Sequence, residues 1–437
     1  MSAEAARSEE KPRFFYGWLV VVACFMGDFM MAGVSTHAFG VLLKPMSEEL
    51  GWTRTMTTFA MTMRSVVSGF SSPIIGPLLD RRGPRVIMVL GATVAGIGVM
   101  AQGWVTEIWQ FYLVYGVLGS LGMMAMGGLV TSTTVSKWFV RKRGRATAIV
   151  MAGLPMGGAV LVPVTQYVVS TYGWRGAWII LGLLVWVLVV PVSALFMRRM
   201  PEDMGLRPDG DGDRAVQQKN RSRPVKEERS WTLKEALGTR ALWLMIVSFS
   251  MGMVSLSATM IHQISYMTDK GFSPVIAATA MPTWAIAAAL GTLMWGFMVE
   301  RVHVRYCVMM AYSLAAVGLV LFVAANSASL PSLFAYAIVH GVAAGGFAPL
   351  SSVAYADYYG RTFLGTIRGV VTPIQMLATA GGPIFAGYVY DVTKSYDLAF
   401  TVFITLSLLA VFFMFSAAQP RAPEPAAVEV AAKAGGS

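Results

Sequence analysis

Long apolar runs alternate with short polar breaks along almost the whole chain. Apolar segments recur at about 17–42, 54–79, 86–104, 108–134, 145–170, 175–197, 241–267, 274–299, 304–326, 330–356, 364–390 and 396–417. Each is long enough to cross a hydrocarbon layer of roughly 30 Å as a helix. In lipid a helix satisfies its own backbone groups, so the pattern predicts twelve transmembrane helices in an all-α membrane protein. One long interruption, 198–240, is rich in Pro, Gly and mixed charge. It reads as a cytoplasmic linker, partly flexible, with a short interfacial helix at 231–237. The expected organisation is a cytoplasmic tail 1–16, a six-helix bundle 17–197, the linker 198–240, a second six-helix bundle 241–417 and a disordered Pro/Ala-rich tail 418–437.

Composition supports the membrane reading. Hydrophobic residues make up 56% of the 437 and charged residues only 13%, against roughly a quarter in soluble domains. The net charge of +11 would suit a nucleic-acid partner, but its distribution does not. With an even number of spans and the N-terminus inside, Lys44, Arg54, Arg175, Lys270 and Lys394 fall outside and Arg64 within a span. The other basic residues fall on the cytoplasmic side, with a cluster at Lys137, Arg141, Lys142, Arg143 and Arg145, as the positive-inside rule requires. The expectation is a multi-pass monomer in the plasma (inner) membrane, both termini cytoplasmic, with the bilayer and no nucleic acid as its surroundings. Cys24 and Cys307 lie in predicted helices and imply no disulfide framework. No nucleophile motif, metal-ligand spacing or phosphate loop appears, so neither an enzyme nor a metal or other cofactor is expected.

The two bundles repeat each other. Gly76-Pro-Leu-Leu-Asp80-Arg81-Arg82-Gly83-Pro-Arg85 returns as Gly296-Phe-Met-Val-Glu300-Arg301-Val-His-Val-Arg305, at an offset of 220. Tyr115 and Tyr336, Gly144 and Gly365, and Pro163 and Pro383 match at 220–221. Several matches at one offset point to two parallel, pseudo-symmetric halves, an architecture of transport.

These residues resemble the major facilitator superfamily, whose loop between helices two and three carries G-x-L-x-D-R-x-G-x-R. Gly76, Leu78, Asp80, Arg81, Gly83 and Arg85 match it, and Pro84 stands where that family is often basic. The resemblance implies the major facilitator fold. It also implies a cytoplasmic gate in which Asp80 faces the start of helix eleven, near 361–368, with Gly76, Arg81, Gly83, Arg85, Glu300, Arg301 and Arg305 taking part. A carboxylate near a helix N-terminus is favourable on physical grounds as well. A solvated turn is the plainer reading. Lys137-Trp-Phe-Val-Arg-Lys-Arg143-Gly-Arg-Ala146 followed by Gly153-Leu-Pro-Met-Gly157 resembles the opening of helix five in monocarboxylate porters and oxalate–formate antiporters. Tyr16-Gly-Trp18 and Gly51-Trp-Thr-Arg54 also fit that group. One departure stands out: such families often carry an arginine in helix eight, whereas 274–299 holds no charge. The position 220 residues after Arg64 is Trp284.

An intramembrane charge is a functional candidate by default. Asp28 and Arg64 each lie roughly 16 Å into their helices at 1.5 Å per residue. This makes an Asp28–Arg64 pair plausible, either as a fixed structural pair or as a substrate anchor beside a titrating acid. Helix eleven carries a polar row of Arg368, Thr372, Gln375 and Thr379, and helix seven another of Ser255, Thr259, His262 and Tyr266. The expected site places Arg64 on a small carboxylate or related organic anion, with Gln375 and Thr372 orienting it. Tyr115 and Trp284 would wall the cavity, and Asp28 or His262 would be the proton-coupling candidate. Packing is the plainer role for the aromatic and histidine residues. A drug or metabolite exporter is the alternative, since Gly153-Leu-Pro-Met-Gly-Gly158 partly matches the helix-five run of exporters; a non-transporting sensor of the same fold is a further one.

Overall fold

A computed structural model describes residues 15–210, 230–325 and 330–420. Most of both expected tails and the middle of the expected linker lie outside these residues. The first half comprises α1 (Gly17–Leu50), α2 (Arg54–Arg82), α3 (Pro84–Trp104) and α4 (Ile108–Trp138). The 54-residue run Arg143–Phe196 turns at Gly173, where φ is +69°, and so forms α5 (143–172) and α6 (174–196). The second half comprises α7 (Arg240–Asp269), α8 (Pro274–Met298), α9 (Val304–Ala324), α10 (Leu330–Tyr359), α11 (Leu364–Thr393) and α12 (Asp397–Ser416). Twelve spanning helices are therefore present among the described residues. Of these, α2 is the least apolar, carrying Arg64 and a series of hydroxyl residues.

Local chemistry sets the helix ends. The Thr53, Ser273 and Thr239 side chains accept backbone N–H groups at the starts of α2, α8 and α7. Gly83, with φ +81°, ends α2, and Pro84 opens α3 at a position that needs no N–H donor. Two helices are irregular. Residues Gly33–Ala38 of α1 and Tyr112–Gly119 of α4 adopt π-helical turns, and α4 breaks at Gly127–Gly128, Gly128 having φ +48°. Helix α1 also runs on to Leu50, beyond the apolar stretch that predicted its end at 42.

Each half has its own aromatic centre. Tyr115 stacks between Phe39 and Phe111, with centroids at 4.6 and 5.0 Å. Its counterpart at the repeat offset, Tyr336, stacks on Phe322 at 3.9 Å.

The described ends of the linker are packed against the bundles or helical. Residues 198–210 dock on the first half: Trp138 donates Nε1–H to the Arg198 carbonyl at 3.1 Å, and Asp209 accepts the backbone N–H groups of Val140, Arg141 and Lys142 at 3.2, 2.7 and 2.9 Å. An aspartate amid polar residues gives no sequence sign that it caps a loop 67 residues earlier. A short helix, Leu233–Leu237, follows with a Thr232–Glu235 capping box.

Candidate substrate site and the seam between the halves

An even number of spans brings both ends of the described chain and the linker to one face, here called the terminal face. The halves are bonded together on this side. Asp80, at the end of α2, accepts the Gly365 and Thr366 backbone N–H groups at 3.2 and 2.7 Å and the Thr366 hydroxyl at 2.8 Å. It thereby caps the N-terminus of α11, and Lys137 Nζ, itself buried, donates to it at 2.6 Å. The repeat supplies a related contact: Glu300 accepts the backbone N–H and the Nε–H of Arg145 at 3.1 and 2.9 Å near the start of α5. Arg143 pairs with Asp357, and Arg361 donates to the Lys137 carbonyl at 2.7 Å and to Glu202 at 3.1 Å.

Glycines permit this approach. A Cβ on Gly76 would strike the Gly365 carbonyl, and one on Gly144 would strike that of Gly296. At the repeat offset these are the same contact made twice. Farther in, Ser72 donates to the Gly369 carbonyl at 3.0 Å, and Arg368 donates Nη1–H to Ser132 Oγ at 2.5 Å. The molecule is closed at its terminal face.

Not every residue expected at the gate reaches this seam. Gly83 serves as the cap of α2. Arg81, Arg85 and Arg301 are exposed. Arg305 bonds to the Phe415 carbonyl inside its own half. The cations that do reach across are Lys137, Arg143, Arg145, Arg361 and Arg368. The basic cluster was visible in the sequence, but its partners were not.

Nearer mid-membrane, Arg64 turns into its own half. Its Nη1 donates to the Ser35 carbonyl at 2.7 Å and to the Tyr115 hydroxyl at 3.3 Å, and its Nη2 donates to Ser35 Oγ at 3.1 Å. Both partners lie in the π-helical turns of α1 and α4, features that often mark functional sites. The guanidinium also lies 5.7 Å from the Tyr115 ring centroid. Three of its five N–H groups are bonded in this way. Among the described residues nothing accepts from its Nε–H or its second Nη2–H. Gln102 and Trp178 line a cavity of about 10 Å³ behind it, and their Oε1 and Nε1 atoms are buried with no hydrogen-bond partner among the described residues.

The expected Asp28–Arg64 pair is not formed. Asp28 Oδ1 accepts the Gly128 backbone N–H at 2.8 Å and the Thr131 hydroxyl at 3.0 Å, so it caps the helix that resumes after the α4 break. Arg64 meets α1 at Ser35, seven residues farther on, or about 10 Å of helix. The depth argument failed because α1 and α2 both extend past the ends of their apolar runs. Ser35, Thr131 and Ser132 carried no sequence signal, since small hydroxyl residues are common packing groups in membrane helices.

The remaining candidates are dispersed. Thr372 donates its hydroxyl to the Arg368 carbonyl at 2.8 Å, and Gln375 Nε2 reaches the Tyr355 hydroxyl at 3.3 Å. A Cβ on Gly69 would lie 3.0 Å from Met376 Sδ, which brings Gln375 to within two turns of the Arg64 level. Trp284 donates Nε1–H to His340 Nδ1 at 3.0 Å within the second half. His262 has both ring nitrogens engaged, with the Tyr396 hydroxyl and the Pro383 carbonyl, each at 3.1 Å.

Two equivalent six-helix bundles, bonded together at one face around an intramembrane cation, define a membrane transporter. The sequence model of the Major Facilitator Superfamily matches residues 18–286 and 256–435. The chain belongs to this superfamily, and its members carry small molecules across membranes. It is similar to rat monocarboxylate transporter 13, with 23% identity over 90% of this chain and 87% of that one. Human monocarboxylate transporter 12 is 25% identical over 90% of this chain and 79% of its own. Among solved structures, a proton:xylose symporter superposes with a TM-score of 0.69 at 13% identity, covering 92% of this chain and 95% of that one. The human organic anion transporter MFSD10 gives 0.67 at 17% identity, over 91% and 99%. At these identities the solved structures support the fold.

Proposed function

We propose that the protein is a secondary active transporter of a small monocarboxylate or related organic anion, working by alternating access in the inner membrane with its terminal face toward the cytoplasm. The observation that carries this reading is Arg64: a guanidinium held in place by Ser35 and Tyr115 that keeps two N–H groups for an incoming acceptor. Charge-assisted hydrogen bonds to a carboxylate suit those donors. The relation to monocarboxylate transporters points to the same substrate class. Gln375 and Thr372 on α11 are the orienting residues of this proposal. Trp284 is committed to His340, so its part is to shape the second half.

Asp28 is the residue we assign to proton coupling. Both hydrogen bonds made to it fall on Oδ1, which leaves Oδ2 to take a proton. His262, bonded at both nitrogens, serves better as a pin between α7 and α11. Uptake of short-chain carboxylates into proteoliposomes tests the reading. Wild type should accumulate them, faster under an inward proton gradient, and Arg64→Gln, purified as a folded protein, should not. Transport by Arg64→Gln at the wild-type rate would remove Arg64 as the anchor.

A further inference from the structure

The intramembrane cation nearer the terminal face has its own site. Arg368, on α11, crosses from the second half to the break in α4 of the first. Its Nη1 donates to Ser132 Oγ, whose own hydroxyl donates to the Gly128 carbonyl at 2.6 Å. The Gly128 N–H in turn is capped by Asp28. Asp28 is also the carboxylate that acts electrostatically on Arg368, and Tyr355 is the neighbouring phenol from α10. The hydrogen bond to Ser132 occupies one of the five guanidinium N–H groups. The other four have no hydrogen-bond partner among the described residues, and the side chain is only partly buried, so they are accessible to a mobile acceptor.

Packing of α2 on α11 sets the depth of this site. Ser72 meets Gly369, so Arg368 lies about eight residues, or ~12 Å, nearer the terminal face than Arg64. The two cations thus form successive layers on the seam. The upper one is held wholly by the first half. The lower one belongs to the second half and is moored to the first by one hydroxyl and one nearby carboxylate. Any opening of the terminal face that parts α11 from α4 takes Arg368 away from both.

We propose that Arg368 is a second anion-binding residue, engaged by the carboxylate when the terminal face is open, and that Ser132 and the Asp28-capped break hold it when that face is shut. The transported anion then replaces the negative charge that Arg368 loses as the halves part. This inference rests on the carboxylate reading of the preceding section.

Sided kinetics in oriented proteoliposomes test it, with a short-chain carboxylate found active in wild type as the probe. Arg368→Gln should raise the KM measured from the terminal face about tenfold or more, the scale of a lost charge-assisted hydrogen bond. The KM from the opposite face should stay within about twofold. Arg368→Lys, which keeps the charge, should recover part of the loss and supplies the same comparison should the glutamine variant fail to insert. Ser132→Ala, which removes only the contact made in the shut state, should not raise the terminal-face KM and should lower it if it favours opening. Equal KM changes from both faces, an unchanged terminal-face KM in Arg368→Gln, or a tenfold rise in Ser132→Ala would each overturn the proposal. Failure of wild type to move any carboxylate would instead overturn the substrate reading on which it stands.

Discussion

At the scale of single residues, the site is a matter of which donors are already spoken for. Ser35 gives Arg64 both a carbonyl and a hydroxyl acceptor. Ser35→Ala should therefore loosen the guanidinium without releasing it, raising KM severalfold, on the order of one net hydrogen bond, with kcat little changed. Steady-state uptake measures the split, and a fall in kcat at constant KM would argue that Ser35 serves the conformational change instead. Asp28→Asn preserves an oxygen for the Gly128 N–H but cannot take up a proton. It should keep carboxylate counterflow while losing stimulation by a pH gradient; gradient-driven uptake equal to wild type would remove Asp28 from proton coupling. The sequence singled out Arg64 and Asp28 because a charge inside a long apolar run is conspicuous. It paired them wrongly because side-chain partners depend on helix register, which apolar run lengths locate only to within a turn or two. Ser35, Thr131 and Ser132 were invisible because a hydroxyl residue is cheap to place almost anywhere in a membrane helix.

At the scale of helices, the overall fold was legible and the local departures from it were not. Twelve apolar runs and a 220-residue repeat suffice for two six-helix bundles, since lipid leaves a spanning segment little choice but a helix. The π-helical turns of α1 and α4 and the break at Gly127–Gly128 leave only faint marks in the sequence, yet they aim Ser35, Tyr115 and the Asp28 cap. The glycine contacts fall between these extremes. Gly76 and Gly296 were found as motif residues, and their role is to let α2 meet α11 and α8 meet α5 backbone to backbone. Gly76→Val places a branched side chain where the Gly365 carbonyl lies, and rigid helices relieve such a clash by separating. Spin labels at exposed Arg81 and Phe363 should report a longer distance in Gly76→Val than in wild type. Cys24 and Cys307 are buried, so the introduced cysteines are the ones labelled. An unchanged distance distribution would mean that α2 and α11 adjust locally and that the glycine contact does not hold the face shut.

For the whole molecule, the repeated motif makes two contacts of unequal weight. Asp80 and its partner Lys137 are almost wholly buried, their side chains 6% and 2% exposed. Removing the carboxylate charge leaves an uncompensated ammonium in the seam, a change that costs about 3–5 kcal/mol in buried pairs. In the equivalent pair, Arg145 is 39% exposed against Glu300, so water replaces much of what is lost and the expected cost is about 0–1 kcal/mol. A two-state equilibrium moves from 1:99 to 99:1 over about 5.5 kcal/mol. Asp80→Asn therefore carries enough energy to populate the terminal-face-open state substantially, and Glu300→Gln does not. The charge that matters in Asp80→Asn is the one left on Lys137, so Lys137→Met combined with Asp80→Asn should restore part of the closed population. Distance distributions between spin labels on the two halves, recorded for wild type, both single variants and the double variant, measure this directly. Equal shifts in Asp80→Asn and Glu300→Gln would mean that the two copies of the motif share the load as their sequences suggest, and that burial does not decide which one closes the transporter.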